Sequence, residues 1–139
     1  MSRIMLIFTL ALALSGCGTA SRPAMTVTVE EKEFAYSPID ITVPVDQPVA
    51  LVFKNTGAVE HDFVIEKINL TNVVGNESGE DGTGGHHMGK TEYDLHVSTQ
   101  PEKSSTIEFT PTEAGTYEFF CTVPGHKEAG MIGKMVVSQ

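Results

Sequence analysis

Basic residues are scarce in this chain of 139 residues. It holds nine lysines and arginines against eighteen aspartates and glutamates, which gives a formal charge of −9 at neutral pH. Nucleic-acid binding needs a basic surface that can pair with phosphates. The composition therefore argues against a nucleic-acid partner, and it is compatible with docking to a basic protein.

Cysteine is scarcer still. The chain has two cysteines, Cys17 and Cys121, and it contains neither a CxxC nor an HxxxH pattern. Structural zinc sites usually take four Cys and His ligands from paired clusters of this kind. The absence of both patterns therefore disfavours a structural zinc site.

The N-terminus lacks an apolar run long enough to anchor the chain. Residues 4–14 are apolar and follow Arg3, but they are too few to span a bilayer, so residues 1–16 are predicted to be a signal peptide. The segment LSGC at 14–17 resembles the lipobox of bacterial lipoproteins. That resemblance implies cleavage before Cys17, a lipid on its thiol and a tether over residues 17–24. The alternative is an ordinary secretory peptide with a chance cysteine.

These expectations place the mature chain at a cell membrane, lipid-anchored and facing the periplasm or the cell exterior. Loss of Arg3 with the signal peptide would change the formal charge from −9 to −10. Two cysteines in an oxidising compartment normally pair. If Cys17 carries lipid, Cys121 has no such partner, and a lone thiol there is oxidised unless it is buried, modified or bound to metal.

Residues 25–139 are predicted to form one all-β domain. Apolar and polar residues alternate in short segments separated by Pro, Gly and Asn, and no segment has a convincing amphipathic helical pattern. The pattern is typical of an antiparallel sandwich or barrel. About eight strands are predicted, near residues 25–30, 39–43, 49–53, 61–65, 93–97, 105–110, 116–121 and 134–138.

One segment, residues 72–90, interrupts this pattern with six glycines. It is predicted to be a flexible insertion between strands and not a second domain. Its tract His86-His87-Met88 is a candidate for an extra, weak metal site, because His-rich tracts can bind metal. A solvated loop with no metal role is the other interpretation.

The segment CTVPGHKEAGM, residues 121–131, gathers three unlike metal donors. Cys121, His126 and Met131 supply a thiolate, an imidazole and a thioether at equal spacing, a donor set that suits copper. The best candidate for a distant fourth ligand is His61, which opens an apolar strand after a turn. His96 alternates with apolar neighbours and is predicted to face solvent. Each donor alone is more often a core or loop residue, but the combination favours a metal site.

Two stretches resemble the cupredoxins, the small blue copper proteins, and most closely their auracyanin and azurin branch. They are VEHDFVI at 59–65 and GTYEFFCTVPGHKEAGMIGKMVV at 115–137. The resemblance implies a Greek-key β-sandwich or barrel that holds one type 1 copper ion. It also implies that His61, Cys121 and His126 are equatorial ligands and Met131 the axial one.

The sequence departs from the family pattern after the first histidine. The family commonly has Asn there, which helps pin the ligand loop near the cysteine, whereas this chain has Asp62, with Thr122 as the expected opposite partner. An acidic group close to copper favours the oxidised form.

The resemblance implies a monomeric carrier of single electrons that transforms no substrate. Its donor and acceptor would be redox proteins, such as a cytochrome or a membrane respiratory or photosynthetic complex. His126 would pass electrons through a patch of mostly apolar or uncharged residues at 56–59, 123–125 and 129–132. The alternative function is extracytoplasmic copper binding and delivery. A copper enzyme is disfavoured, because the chain has no second domain and no second histidine-rich copper site.

Overall fold

The computed structural model describes residues 23–76 and 93–139. These residues form ten β-strands and no helix. Accordingly, no helix in this part of the chain has the length and apolarity needed to span a membrane. The strands are β1 (Met25–Lys32), β2 (Ala35–Ser37), β3 (Asp40–Pro44), β4 (Val49–Asn55), β5 (His61–Ile65), β6 (Leu70–Asn76), β7 (Leu95–Thr99), β8 (Ser104–Pro111), β9 (Gly115–Phe120) and β10 (Ile132–Ser138).

The strands form two five-stranded sheets. One has the order β2-β1-β4-β8-β6 and the other the order β3-β10-β9-β5-β7. The pairs β1–β4 and β3–β10 are parallel and the remaining pairs are antiparallel. The predicted all-β class is confirmed, with two strands more than the eight expected. Both additional strands, β2 and β6, are short or irregular and so carry a weak alternation signal.

Strand β6 extends into the predicted glycine-rich insertion, so the insertion begins later than expected. Residues 72–76, predicted to be flexible, are the last five residues of β6, and residues 74–76 pair with β8. A register shift between Thr71 and Val74 marks a bulge, and Asn72 takes a left-handed φ of 54°. Asn tolerates this conformation, and the β-branched Val73 and Val74 suit a strand, so the segment can pair despite its polar composition. The rest of the predicted insertion, residues 77–90, lies outside the described residues.

The core lies between the two sheets and is rich in phenylalanine. The rings of Phe63 and Phe119 stack with centroids 4.5 Å apart, and Phe53 packs on Phe63 at 4.8 Å. Strand β5 lies between β9 and β7, and all five of its residues are buried. In β9, Phe119 is buried and Tyr117 half-buried, and Cys121 continues the same face inward. The thiol therefore points into the core, as expected.

Strand pairing brings the start of β5 to the end of β9. The two strands are antiparallel and paired at Val64 and Phe120, so the start of β5 lies beside the segment that follows β9. His61 and Cys121, sixty residues apart in sequence, thus meet at one end of the two sheets.

Candidate metal centre

Three metal-binding side chains meet at this end of the fold. His61 begins β5, Cys121 directly follows β9, and His126 lies in the loop after it. Their potential ligand atoms all lie within 4.8 Å of one another, and all three residues are buried. Within the described part of the chain this is the one such group of three.

Local hydrogen bonds shape the 121–131 loop that carries the other donors. The His126 amide donates to the Val123 carbonyl at 3.0 Å, and the Met131 amide donates to the His126 carbonyl at 2.9 Å. The Cys121 amide then donates to the Met131 carbonyl at 3.2 Å, which closes the loop on itself. Met131 is fully buried and packs in the same cluster as Cys121. The loop therefore places a thioether next to the thiol and the two imidazoles.

His61 has the unsatisfied nitrogens expected of a metal ligand. Its side chain is fully buried, and neither ring nitrogen has a hydrogen-bond partner among residues 23–76 and 93–139. Buried polar atoms without partners are rare in folded proteins because they cost free energy. Burial, together with neighbouring His126, lowers the pKa of His61. The imidazole is thereby kept neutral, which is the form that binds metal.

The Cys121 sulfur lies at the centre of the group. Its Sγ is 3.5 Å from Nδ1 of His126, and it accepts a hydrogen bond from the Asp62 amide at 3.4 Å. Burial raises the pKa of this thiol. A nearby cation is therefore needed to give the thiolate at neutral pH, as metal coordination does.

The donor set fits copper. One thiol, two neutral imidazoles and a thioether are soft or intermediate donors, which suit copper better than oxygen-preferring ions such as Mg²⁺ or Ca²⁺. The buried, unpartnered nitrogens of His61 are the structural observation that a metal ion would explain.

Asp62 ties β5 to the ligand loop. Its carboxylate accepts hydrogen bonds from the Thr122 and Ser98 hydroxyls and lies 3.7 Å from Nε2 of His96. Burial acts to raise the pKa of Asp62, but the hydrogen bonds from His96, Ser98 and Thr122 outweigh it and lower the pKa to about 2. The Tyr36 hydroxyl also donates to the Asp62 carbonyl. The structure thus brings Asp62 and Thr122 together, and it places His96 against Asp62.

Asn55 is a supporting residue that the sequence reasoning missed. Its Oδ1 accepts a hydrogen bond from the Gly57 amide at 2.9 Å, and its Nδ2 donates to the carbonyls of Val59 at 2.7 Å and Thr99 at 2.8 Å. The bonds to Gly57 and Val59 fix the 56–60 turn that leads into His61, and the bond to Thr99 ties it to β7. The Asn-Thr-Gly tripeptide does signal a turn, but a turn signal does not show which histidine the turn presents.

Phe34 is the second missed residue. It lies in the turn between β1 and β2 with a left-handed φ of 63°, and its ring meets the His126 ring edge-on at 5.2 Å. Phe34 is 51% exposed whereas His126 is 7% exposed, so the phenylalanine covers the imidazole. From the predicted patch, Ala58, Val59 and Pro124 are exposed. No local pattern in the sequence links residue 34 to residue 126.

Four of the predicted site positions lie outside the described residues. They are the predicted lipid-attachment residue Cys17 and the candidate weak metal site, His86, His87 and Met88.

Comparisons with known proteins agree with this site. A family model described as a cupredoxin-like domain matches residues 2–137. The copper-resistant cuproprotein CopI of Rubrivivax gelatinosus is 32% identical over 121 residues, 86% of this chain and 70% of CopI. Auracyanin-A of Chloroflexus aurantiacus is 31% identical over 150 residues, 93% of this chain and 91% of auracyanin-A. A solved structure of reduced auracyanin from Roseiflexus castenholzii is 26% identical, with a TM-score of 0.58 over 82% of this chain and 97% of that one. This chain belongs to the cupredoxin family, and its cofactor is one copper ion.

Proposed function

We propose that this protein carries single electrons between redox partners through a type 1 copper site. His61, Cys121 and His126 would be the equatorial ligands and Met131 the axial one. The buried cluster of one sulfur and two imidazoles within 4.8 Å is the observation that carries this proposal. When bound, the copper ion supplies the chemistry by alternating between Cu(I) and Cu(II).

The residues around the site hold the donors in place. The Asp62 amide bonds to Cys121 Sγ, and the Asp62 carboxylate bonds to Thr122 in the ligand loop. The bond from the Cys121 amide to the Met131 carbonyl fixes the other end of the loop. Ligands that are packed and hydrogen-bonded in this way move little when the charge at the centre changes, which favours rapid electron exchange.

His126 is the proposed electron port. It lies in the loop, close to the surface, beneath the exposed ring of Phe34. Exposed Ala58, Val59 and Pro124 supply uncharged surface for a transient contact. The net charge of −9 favours a partner with a basic docking face, such as a cytochrome or a membrane respiratory or photosynthetic complex.

The proposed location is a membrane surface, by a lipid on Cys17 after removal of residues 1–16, with the domain facing the periplasm or the cell exterior. The lipobox-like LSGC segment supports this. Mass spectrometry of the mature protein tests it. An acylated N-terminal Cys17 is expected, and a mature chain that begins elsewhere without lipid would contradict the anchor.

Electron exchange tests the carrier function. The copper-loaded protein should be intensely coloured when oxidised and should lose that colour rapidly when mixed with a reduced cytochrome c. The same protein loaded with zinc is the control, because its partner should stay reduced. A colourless copper-loaded protein, or one that exchanges no electrons with any cytochrome tried, would contradict the proposal.

Copper binding and delivery is the second candidate function. It is favoured by the similarity to a copper-resistant cuproprotein. A delivery protein would hand copper to a copper-free acceptor, measured as transfer of the metal on mixing, whereas a carrier would keep its metal through many electron cycles.

A further inference from the structure

We propose that Glu33 is a positioning residue for His61, accepting a hydrogen bond from the Nε2–H of the imidazole directly or through one water. This inference rests on the proposed copper site. Glu33 lies in the turn between β1 and β2, outside the ligand segments, and belongs to neither stretch that carries the cupredoxin resemblance.

The carboxylate of Glu33 is held over the turn that precedes His61. Its Oε1 accepts a hydrogen bond from the amide of Ala58. Ala58 lies in the 56–60 turn, whose other backbone groups are held by Asn55. An exposed glutamate is usually free to rotate, but this one is tied to the segment that positions the histidine.

Gly57 is the place where the carboxylate and the imidazole converge. A Cβ built on Gly57 would lie 2.7 Å from Oε1 of Glu33 and 3.1 Å from Nε2 of His61. Both atoms therefore border the same small space, which is open because residue 57 has no side chain. The two atoms are not hydrogen-bonded to each other in the structure, so the proposed bond needs one bridging water or a small movement of the Glu33 side chain.

The orientation of His61 makes Nε2 the nitrogen that needs this partner. Because Nε2 faces Gly57, we infer that Nδ1 is the nitrogen left for the metal, beside Cys121 and His126. Metal-bound histidines almost always donate their other ring N–H to a carboxylate, a carbonyl or a water, which sets the tautomer and the ring orientation. His61 is fully buried, and its Nε2 has no other partner among the described residues.

Electrostatics agree with this pairing. The hydrogen bond from the Ala58 amide lowers the pKa of Glu33. Glu33 is therefore a carboxylate at neutral pH. An ionised acceptor makes a stronger hydrogen bond to an imidazole N–H than a neutral acceptor does.

Three variants test the role of Glu33. Glu33→Ala removes the acceptor. Gly57→Ala keeps the net charge but fills the space between carboxylate and ring, so it should push the flexible Glu33 side chain away. Glu102→Ala is the control, because Glu102 lines the same surface groove and carries the same charge.

Two measurements on these variants are informative besides electron transfer. In ¹⁵N-labelled Cu(I) protein, the Nε2–H signal of His61 should shift and exchange faster with solvent in Glu33→Ala and Gly57→Ala. Copper affinity should fall by about tenfold or more in both variants. Metal sites typically lose this much affinity when a ligating histidine loses the hydrogen-bond partner of its other ring nitrogen. Glu102→Ala should match the wild-type protein in both measurements.

Failure of this inference is distinguishable from failure of the proposed function. If the oxidised wild-type protein is coloured but Glu33→Ala behaves like Glu102→Ala, only the role of Glu33 is wrong. If Glu33→Ala has an effect and Gly57→Ala has none, the effect comes from charge and the positioning role is also wrong. A colourless wild-type protein would instead contradict the copper site itself, and this inference with it.

Discussion

Strand β5 and the 121–131 loop hold the two halves of the metal centre by different means. In β5 every residue is buried, and the strand that carries His61 is held by pairing with β7 and β9 and by the distant side chains of Tyr36 and Thr122. The loop is held largely by bonds between its own residues, such as the Met131 amide to the His126 carbonyl. The strand half is thus a product of long-range contacts, and the loop half is largely encoded within eleven residues.

The two halves also differ in their access to solvent. His61 is fully buried, whereas His126 is 7% exposed and lies under Phe34, which is itself 51% exposed. This difference suits a division of roles. The strand anchors one ligand rigidly, and the loop brings the other imidazole near the surface where a partner can approach.

The largest expected effect comes from the Cys121 sulfur, which lies in the loop half and accepts a hydrogen bond from the Asp62 amide of the strand half. Cys121→Ser should abolish the visible colour of the oxidised protein, since the thiolate is the donor proposed to give that colour. The absorption spectrum measures this after copper is added. Circular dichroism should show the same β-sheet content as the wild-type protein, and a variant that stays fully coloured would contradict the type 1 assignment.

Cavity rescue compares the two histidines directly. His126→Gly should lose the colour and regain it when imidazole is added, because the gap lies near the surface beneath Phe34. His61→Gly should not be rescued, because its gap lies inside the sheet and glycine also weakens the strand. Titration of each variant with imidazole, followed by visible absorption, measures the difference. Equal rescue of both variants would show that the difference in burial has no consequence for access.

Asn55→Ala should weaken the strand half selectively. It removes two hydrogen bonds that hold the 56–60 turn and a third, to the Thr99 carbonyl, that ties β4 to β7, which should lower the free energy of unfolding by about 3 kcal/mol. Urea unfolding of the copper-free protein measures this. The ligand loop makes none of these three bonds, so nuclear magnetic resonance shifts of residues 123–130 should change less than those around His61. Equal shift changes in both regions would contradict the conclusion that the strand half and the loop half are held by separate contacts.

The smallest effect concerns a buried acid on the strand side. Glu31 in β1 is fully buried; burial raises its pKa from the usual 4.5 to about 7, although the Thr99 hydroxyl opposes the shift. The folded protein therefore holds this proton more tightly than the unfolded chain, so stability falls as pH rises from 4.5 towards 7.

Glu31→Gln should remove that loss, which amounts to about 2 kcal/mol between pH 5 and 7. Urea unfolding of copper-free wild-type and variant proteins at pH 5, 6 and 7 measures it, with exposed Glu108→Gln as the control. A variant whose stability has the same pH dependence as the wild type would show that Glu31 does not take up a proton on folding.

The loop half of the site was predictable because its donors are contiguous. The spacing of Cys121, His126 and Met131 already indicates copper, and apolar alternation indicates the sheets. His61 could be named only as the best candidate, because the pairing of β5 with β9 is a contact between distant segments. Strand β6 was missed because its bulge at Asn72 and its polar residues hide the alternation.

The all-β class, the donor chemistry and the local shape of the ligand loop follow from the amino-acid sequence, because alternation and short-range hydrogen bonds act between near neighbours. Which residues surround the two imidazoles depends on the tertiary structure. Asn55, Glu33 and Phe34 approach the site from other strands and turns. Such contacts depend on how the sheets pack and on which turns they bring to one end, and no local pattern specifies that.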